Sequence, residues 1–204
     1  MEIGEMMNTL KKDSRLRRTA VLLSAGIIFT SPAAFAVFTS ECHFRKHEQE
    51  EIWRELISLG VLEKVGEHLF YMNPQVRPVL MEEIEPRSWN RVHAIFAAEA
   101  ESRINFDPQT AAEKYWRRQS LFSRAYHRML AGSFEKGIKE MDYFAGSENP
   151  RIRRALVADL KKVLSDFQRL GGDYAQRVNS VIQMAEAGPQ EPPVKQKQFL
   201  NRRF

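Results

Sequence analysis

Apolar residues recur along most of this chain at the three- and four-residue spacing of amphipathic helices. In "SRLRRTAVLLSAGI" the positions Leu16, Ala20, Leu23 and Ile27 recur at helical spacing while basic residues crowd the start, which predicts a helix from Ser14 to about Gly26. After a short break Ser31 suits an N-cap and Pro32 the first helical position, so a second helix begins there. "EQEEIWRELISLG" carries a stripe of Ile52, Trp53, Leu56, Ile57 and Leu59, with Gly60 just past the helix end. The pattern then changes. In "VLEKVGEHLFYM" the runs Val61 to Val65 and His68 to Met72 are β-prone, and Gly66-Glu67 between them supplies the positive φ of a tight hairpin.

Beyond the hairpin, helix start and stop signals dominate. Ser88 is placed to cap "WNRVHAIFAAEAESRI", in which Trp89, Val92, Phe96 and Ala100 align. Asp107-Pro108 starts a long helix to about Ala131, ended by Gly132, and Ser133 starts "FEKGIKEMDYFA". Asn149-Pro150 opens "RIRRALVADLKKVLSDFQRL", and Gly171-Gly172-Asp173 separates it from "YAQRVNSVIQMAEA". Three helices followed by a hairpin is the order of a winged helix-turn-helix. The predicted fold is therefore mainly α: a winged helix-turn-helix with a small β-hairpin wing over 13–85, then an α-helical repeat-like array over 86–187. The remainder, 188–204, has Pro, Gln and basic residues with little apolar periodicity, and reads as a flexible basic tail.

Composition permits a packed core: 204 residues, 43% hydrophobic and 10% aromatic. The formal net charge is +5, but its placement changes its meaning. Lys11 to Arg18 holds five basic residues against one acidic, Lys195 to Phe204 holds four basic and none acidic, and the chain between them is close to neutral. The lone Cys42 excludes an internal disulfide and any multi-cysteine zinc site, and fits a reducing compartment. Ser24, Gly26, Thr30, Ser31 and Pro32 interrupt the early apolar run, so a membrane span is not expected. The stretch "KKDSRLRRTAVLLSAGIIFTSPAAFAVF" also has the three regions of a secretory signal peptide, ending in Ala-Phe-Ala. Asp13 inside the basic region and the Ser31-Pro32 helix start speak for a folded segment. The expected compartment is the cytoplasm, with export through a leader over 1–36 as the alternative.

The segment "EEIWRELISLGVLEKVGEHLFYMNPQVRPVL" resembles the winged helix of STAND-class signal-transduction ATPases, the group that includes NB-ARC proteins. "AYHRMLAGSFEKGIKEMDYFAG" is similar to a tetratricopeptide-type turn, with Ala125, Tyr126, Gly132, Phe134 and Ile138 at its packing positions and Gly137 where Ala is usual. The resemblance implies the winged-helix and helical-repeat arm of a STAND-type regulator. It implies a protein partner, such as a nucleotide-binding regulator encoded separately. The Gly-rich loop with Lys and Ser or Thr that such ATPases need is absent from this sequence, and Asn73 stands where the family has its nucleotide-sensing His.

Candidate chemistry adds little to this picture. His43 and His47 stand four apart with Phe44 where a zinc protease has Glu, and Cys42 with these histidines reads as a polar loop. His68 falls on the second wing strand, and His93 and His127 sit among aromatics, where packed rings are expected. No catalytic constellation, cofactor or metal site is predicted. The third helix, which would enter the major groove in a DNA-binding winged helix, carries Glu48, Glu50, Glu51 and Glu55. A DNA-binding regulator is thus the second reading, with contacts through Arg15, Arg17, Arg18 or Arg151, Arg153, Arg154. The leading expectation is a non-enzymatic regulatory or protein-interaction module.

Overall fold

The structure, a computed structural model, describes residues 2–65 and 69–189. The expected Gly66-Glu67 turn, His68 and the expected tail beyond Pro189 lie outside the described residues. The described chain is mainly helical, with ten α-helices and one small antiparallel sheet, in two compact units that divide after Gly137.

The first unit opens with α1 (Ile3–Lys12), a helix not among those expected; it buries Met6 and Leu10. Helix α2 (Ser14–Leu23) starts where expected, because the Asp13 carboxylate accepts from the N–H groups of Arg15 and Leu16 at 2.8 and 3.1 Å. It ends about three residues earlier than the apolar spacing suggests. The Ser24 hydroxyl donates to the Val21 carbonyl at 2.6 Å, and the chain turns out through Gly26. Ile27 therefore leaves the helix face and leads half-buried into β1 (Ile28–Thr30), a strand missed in the sequence.

With β2 (Leu62–Lys64) and β3 (Leu69–Met72) it forms a sheet of order β1-β3-β2. Phe29 stands opposite Phe70, and Glu63 opposite Tyr71. Between β1 and β2 lie α3 (Ser31–Val37), a π turn over Phe38–Cys42, and α4 (Lys46–Ser58). The cap of α3 is Thr30, one residue before the expected Ser31; its hydroxyl accepts from the Ala33 N–H at 3.4 Å. The chain leaves α4 through Gly60 at φ 74°, a left-handed position that glycine holds without strain.

After the sheet come α5 (Arg77–Met81), α6 (Pro86–Ser102), α7 (Ala111–Leu130) and α8 (Phe134–Ala145), and the division between units falls within α8. Ser88 does not cap α6, which begins at Pro86. Helix α7 begins at Ala111 instead of Pro108, because Thr110 and Glu113 form a capping box: the Thr110 hydroxyl accepts from the Glu113 N–H at 3.1 Å, and the Glu113 carboxylate accepts from the Thr110 N–H at 3.0 Å. Residues on both sides of Glu85 share one core. Phe29 lies 5.2 Å from Phe96 between ring centroids, and Leu16, Leu23, Phe38, Leu56, Leu80 and Tyr126 are fully buried. The stretch that also reads as a leader supplies much of that core.

The second unit holds the rest of α8, α9 (Pro150–Gln168) and α10 (Tyr174–Ala187). The Asn149 side chain caps α9 by accepting from the Arg151 N–H at 2.9 Å. Leu156, Leu160, Val163 and Phe167 of α9 and Val178, Val181 and Ile182 of α10 are buried, and the two helices pack together. Among the described residues no helix is long and apolar enough to cross a membrane.

Candidate functional site

Helix α4 turns Ile52, Trp53 and Leu56 into the core, where the Trp53 ring meets Phe70 edge-on at 4.7 Å between centroids. The 3.6-residue period then sends its charged residues outward. His47, Glu51, Arg54, Glu55 and Ser58 line an open depression on the solvent side, and Glu50 is exposed. This face carries more acid than base.

Near the start of α4, the surface is partly neutralised by α2. Arg15 lies 3.9 Å from Glu48, a pair more than half exposed on the arginine side and therefore weak. The three α2 arginines diverge. Arg17 makes a bidentate bond to Glu83, from Nε at 3.0 Å and Nη2 at 2.6 Å, and Arg18 Nη2 donates to the Glu41 carbonyl at 2.8 Å. In the second unit Arg151 and Arg154 are exposed, but Arg153 is structural: Nε donates to the Ala185 carbonyl at 3.1 Å and Nη1 to the Ser147 carbonyl at 2.6 Å. The arginines read from sequence as anion contacts are thus on separate units and partly committed to intrachain bonds.

Asn73 is held as a turn residue. Its Nδ2 donates to the Gly60 carbonyl at 3.1 Å and its Oδ1 accepts from the Gln75 N–H at 3.0 Å, an Asx turn at the end of β3. The neighbouring Glu63 carboxylate accepts from the Tyr71 hydroxyl at 2.7 Å, which raises the Tyr71 pKa from its ordinary value. A phosphate brought to Asn73 would meet that carboxylate.

Two groups of buried polar residues were not assembled by the sequence reading. Glu41, at the π turn, is buried; it accepts from the Ser88 hydroxyl at 2.7 Å and lies 3.3 Å from Arg91. This explains why Ser88 faces inward instead of capping α6. His93 of α6 and His127 of α7 meet in the core with Nδ1 atoms 2.8 Å apart. Burial drives both rings toward the neutral form: the His93 pKa falls to about 3 with Arg77 adding to the effect, and that of His127 falls well below its ordinary value. Only their place among aromatics was visible in the sequence, because 34 residues separate them. Cys42 is half-buried, and burial pushes its thiol pKa up against the lowering influence of a Thr19 hydrogen bond and Arg18. No group of three or more His, Cys, Asp or Glu side chains with metal-binding geometry occurs among the described residues.

Comparison with protein-family models, curated proteins and solved structures finds no match for this chain.

Proposed function

We infer that this protein is a non-enzymatic regulatory module that docks to another protein through the solvent face of α4. The element order α2, β1, α3, α4, β2, β3, with β1 paired to β3, supports the winged-helix reading of residues 13–85. In that arrangement α4 occupies the position of the helix that reads DNA in winged-helix regulators. The observation that carries the inference is the net acidic charge of its exposed face: Glu50, Glu51 and Glu55 against Lys46 and Arg54. Pressing that face on phosphates would add repulsion where DNA binders release counterions. A basic protein surface fits it instead. The packing of Gly137 on Ala125 supports a tetratricopeptide-like turn at α7–α8, and the likeness to the arm of STAND-type regulators suggests a separately encoded nucleotide-binding regulator as partner.

The test is cross-linking and co-purification from the native host with wild type and with Glu50→Lys/Glu51→Lys/Glu55→Lys. A partner cross-linked to α4 in the wild type and lost from the folded triple variant is the expected result. Tight binding to duplex DNA with a steep salt dependence, abolished by neutralising Arg15, Arg17 and Arg18, would replace this reading with the DNA-binding one. ATP hydrolysis by the purified chain would refute the non-enzymatic reading.

A further inference from the structure

The first unit contains a buried pair of titratable rings that the proposed docking function does not use. His93 and His127 are 0% and 1% exposed, and their Nδ1 atoms are 2.8 Å apart across the contact between α6 and α7. At that distance one Nδ1 must carry a hydrogen and the other a lone pair. The walls are aromatic: Trp89 lies 4.6 Å from the His93 ring, and Phe96 stacks on His127 at 5.2 Å. Trp89 is itself tied across the seam, its indole N–H donating to the Leu130 carbonyl at 2.9 Å. His93 Nε2 is buried with no hydrogen-bond partner among the described residues.

We propose that the His93–His127 contact is an acid-sensitive latch on the α6–α7 seam, closed while both rings are neutral and released when they take up protons. The first added proton must go to an Nε2, placing a cation on a fully buried ring. If it went to His93, the new Nε2–H would have no acceptor among the described residues, and the charge would be shared only through the Nδ1–H bond to His127. The second proton would leave two Nδ1–H donors facing each other, abolishing the bond.

The surroundings oppose both steps. From α5, Arg77 reaches the site, its Nη2 donating to the Tyr126 hydroxyl of α7 at 3.0 Å. At the end of α6, Arg103 adds positive charge near His127, and its Nε lies 2.7 Å from the Glu99 carboxylate, which also accepts from the Thr30 hydroxyl. Burial and the cationic charges acting on the two rings thus both oppose protonation in the folded chain.

The direction of the pH effect follows. Both rings have lower pKa values in the folded chain than the ordinary 6.5, so the unfolded state binds more protons. The latch contributes in full above about pH 6.5, and its contribution is lost progressively as pH falls from there toward the folded value of about 3. Carboxylates ordinarily titrate near 4, so the window from pH 6 to 5 belongs mainly to histidine.

The experiment is urea unfolding of the full chain between pH 7 and 5, followed by tryptophan fluorescence, since Trp53, Trp89 and Trp116 all lie in the first unit. The unfolding constant should rise roughly tenfold or more per pH unit below about 6.5. His93→Asn/His127→Asn keeps a hydrogen-bonding pair that cannot protonate and leaves the other histidines in place, so its slope between pH 6 and 5 should be largely lost. An unchanged slope in that variant, or a flat profile in the wild type, overturns the latch. If the double variant fails to fold, nitrogen-15 spectra of the wild-type histidines decide. Two rings still neutral in the folded chain at pH 5 uphold the latch, and protonation of either ring near pH 6.5 refutes it.

Discussion

Gly137→Ala sets two physical effects against each other, and the structure determines which wins. Gly137 lies in the second turn of α8, where alanine is favoured over glycine by about 1 kcal/mol of helix propensity. Propensity therefore predicts stabilisation. A Cβ at this position would, however, lie 2.5 Å from the Ala125 carbonyl oxygen of α7 and against the Met129 side chain. The methionine can yield by changing rotamer, but the backbone carbonyl cannot move without displacing α7. Overpacking of this kind costs about 1–3 kcal/mol, so the net expectation after the propensity gain is a loss of up to about 2 kcal/mol. Urea unfolding followed by tryptophan fluorescence measures it. Gly4→Ala is the matched control: a helical glycine with nothing within 4 Å of the new methyl, which should gain up to about 1 kcal/mol. A Gly137→Ala chain stabilised as much as Gly4→Ala would refute the close approach of Gly137 to α7.

Leu56→Asp should abolish cooperative unfolding of the first unit, because Leu56 is 0% exposed and an unpaired buried carboxylate costs several kcal/mol; a normal melt would contradict its core position. Thr110→Ala removes the capping hydroxyl of α7 and should cost about 1 kcal/mol, read as a shifted urea midpoint with an unchanged slope. Deleting residues 1–36 removes α1, α2, β1 and nearly all of α3, exposing Ile52, Trp53 and Leu56, each worth about 1.5–3 kcal/mol on burial. The truncated chain should show no cooperative melt; a stable fold starting at Val37 would refute the placement of the N-terminal segment in the core.

The elements legible in the sequence are those with strong local signals. Asp13 before α2, Asn149-Pro150 before α9 and Gly60 after α4 all act within a few residues. Hidden elements depend on distant partners. β1 is three residues inside an apolar run, and it is a strand because Phe29 finds Phe70 across the sheet. Nothing local separates that run from a continuing helix, so Ile27 was assigned to the wrong element. Helix α1 does carry a local signal, Ile3, Met6, Met7 and Leu10 at the i, i+3, i+4, i+7 spacing of one helix face, and was legible although the expected first helix starts at Ser14. The acidic face of α4 was fully legible, since helical periodicity alone places it. The buried polar contacts were not: Glu41 meets Ser88 across 47 residues, and nothing local marks that carboxylate as buried.

The pairing of β1 with β3 has a consequence in time. A ribosome adding about 5–20 residues per second makes Phe29 some 2–8 s before Phe70, its partner in the sheet, and Phe96 follows later still. Throughout that interval the nascent chain carries a basic segment followed by an uncovered apolar run, the features by which export machinery recognises its clients. The N-terminal apolar run therefore waits for cover on residues made seconds later, and slowing translation between Thr30 and Met72 should lengthen that exposure.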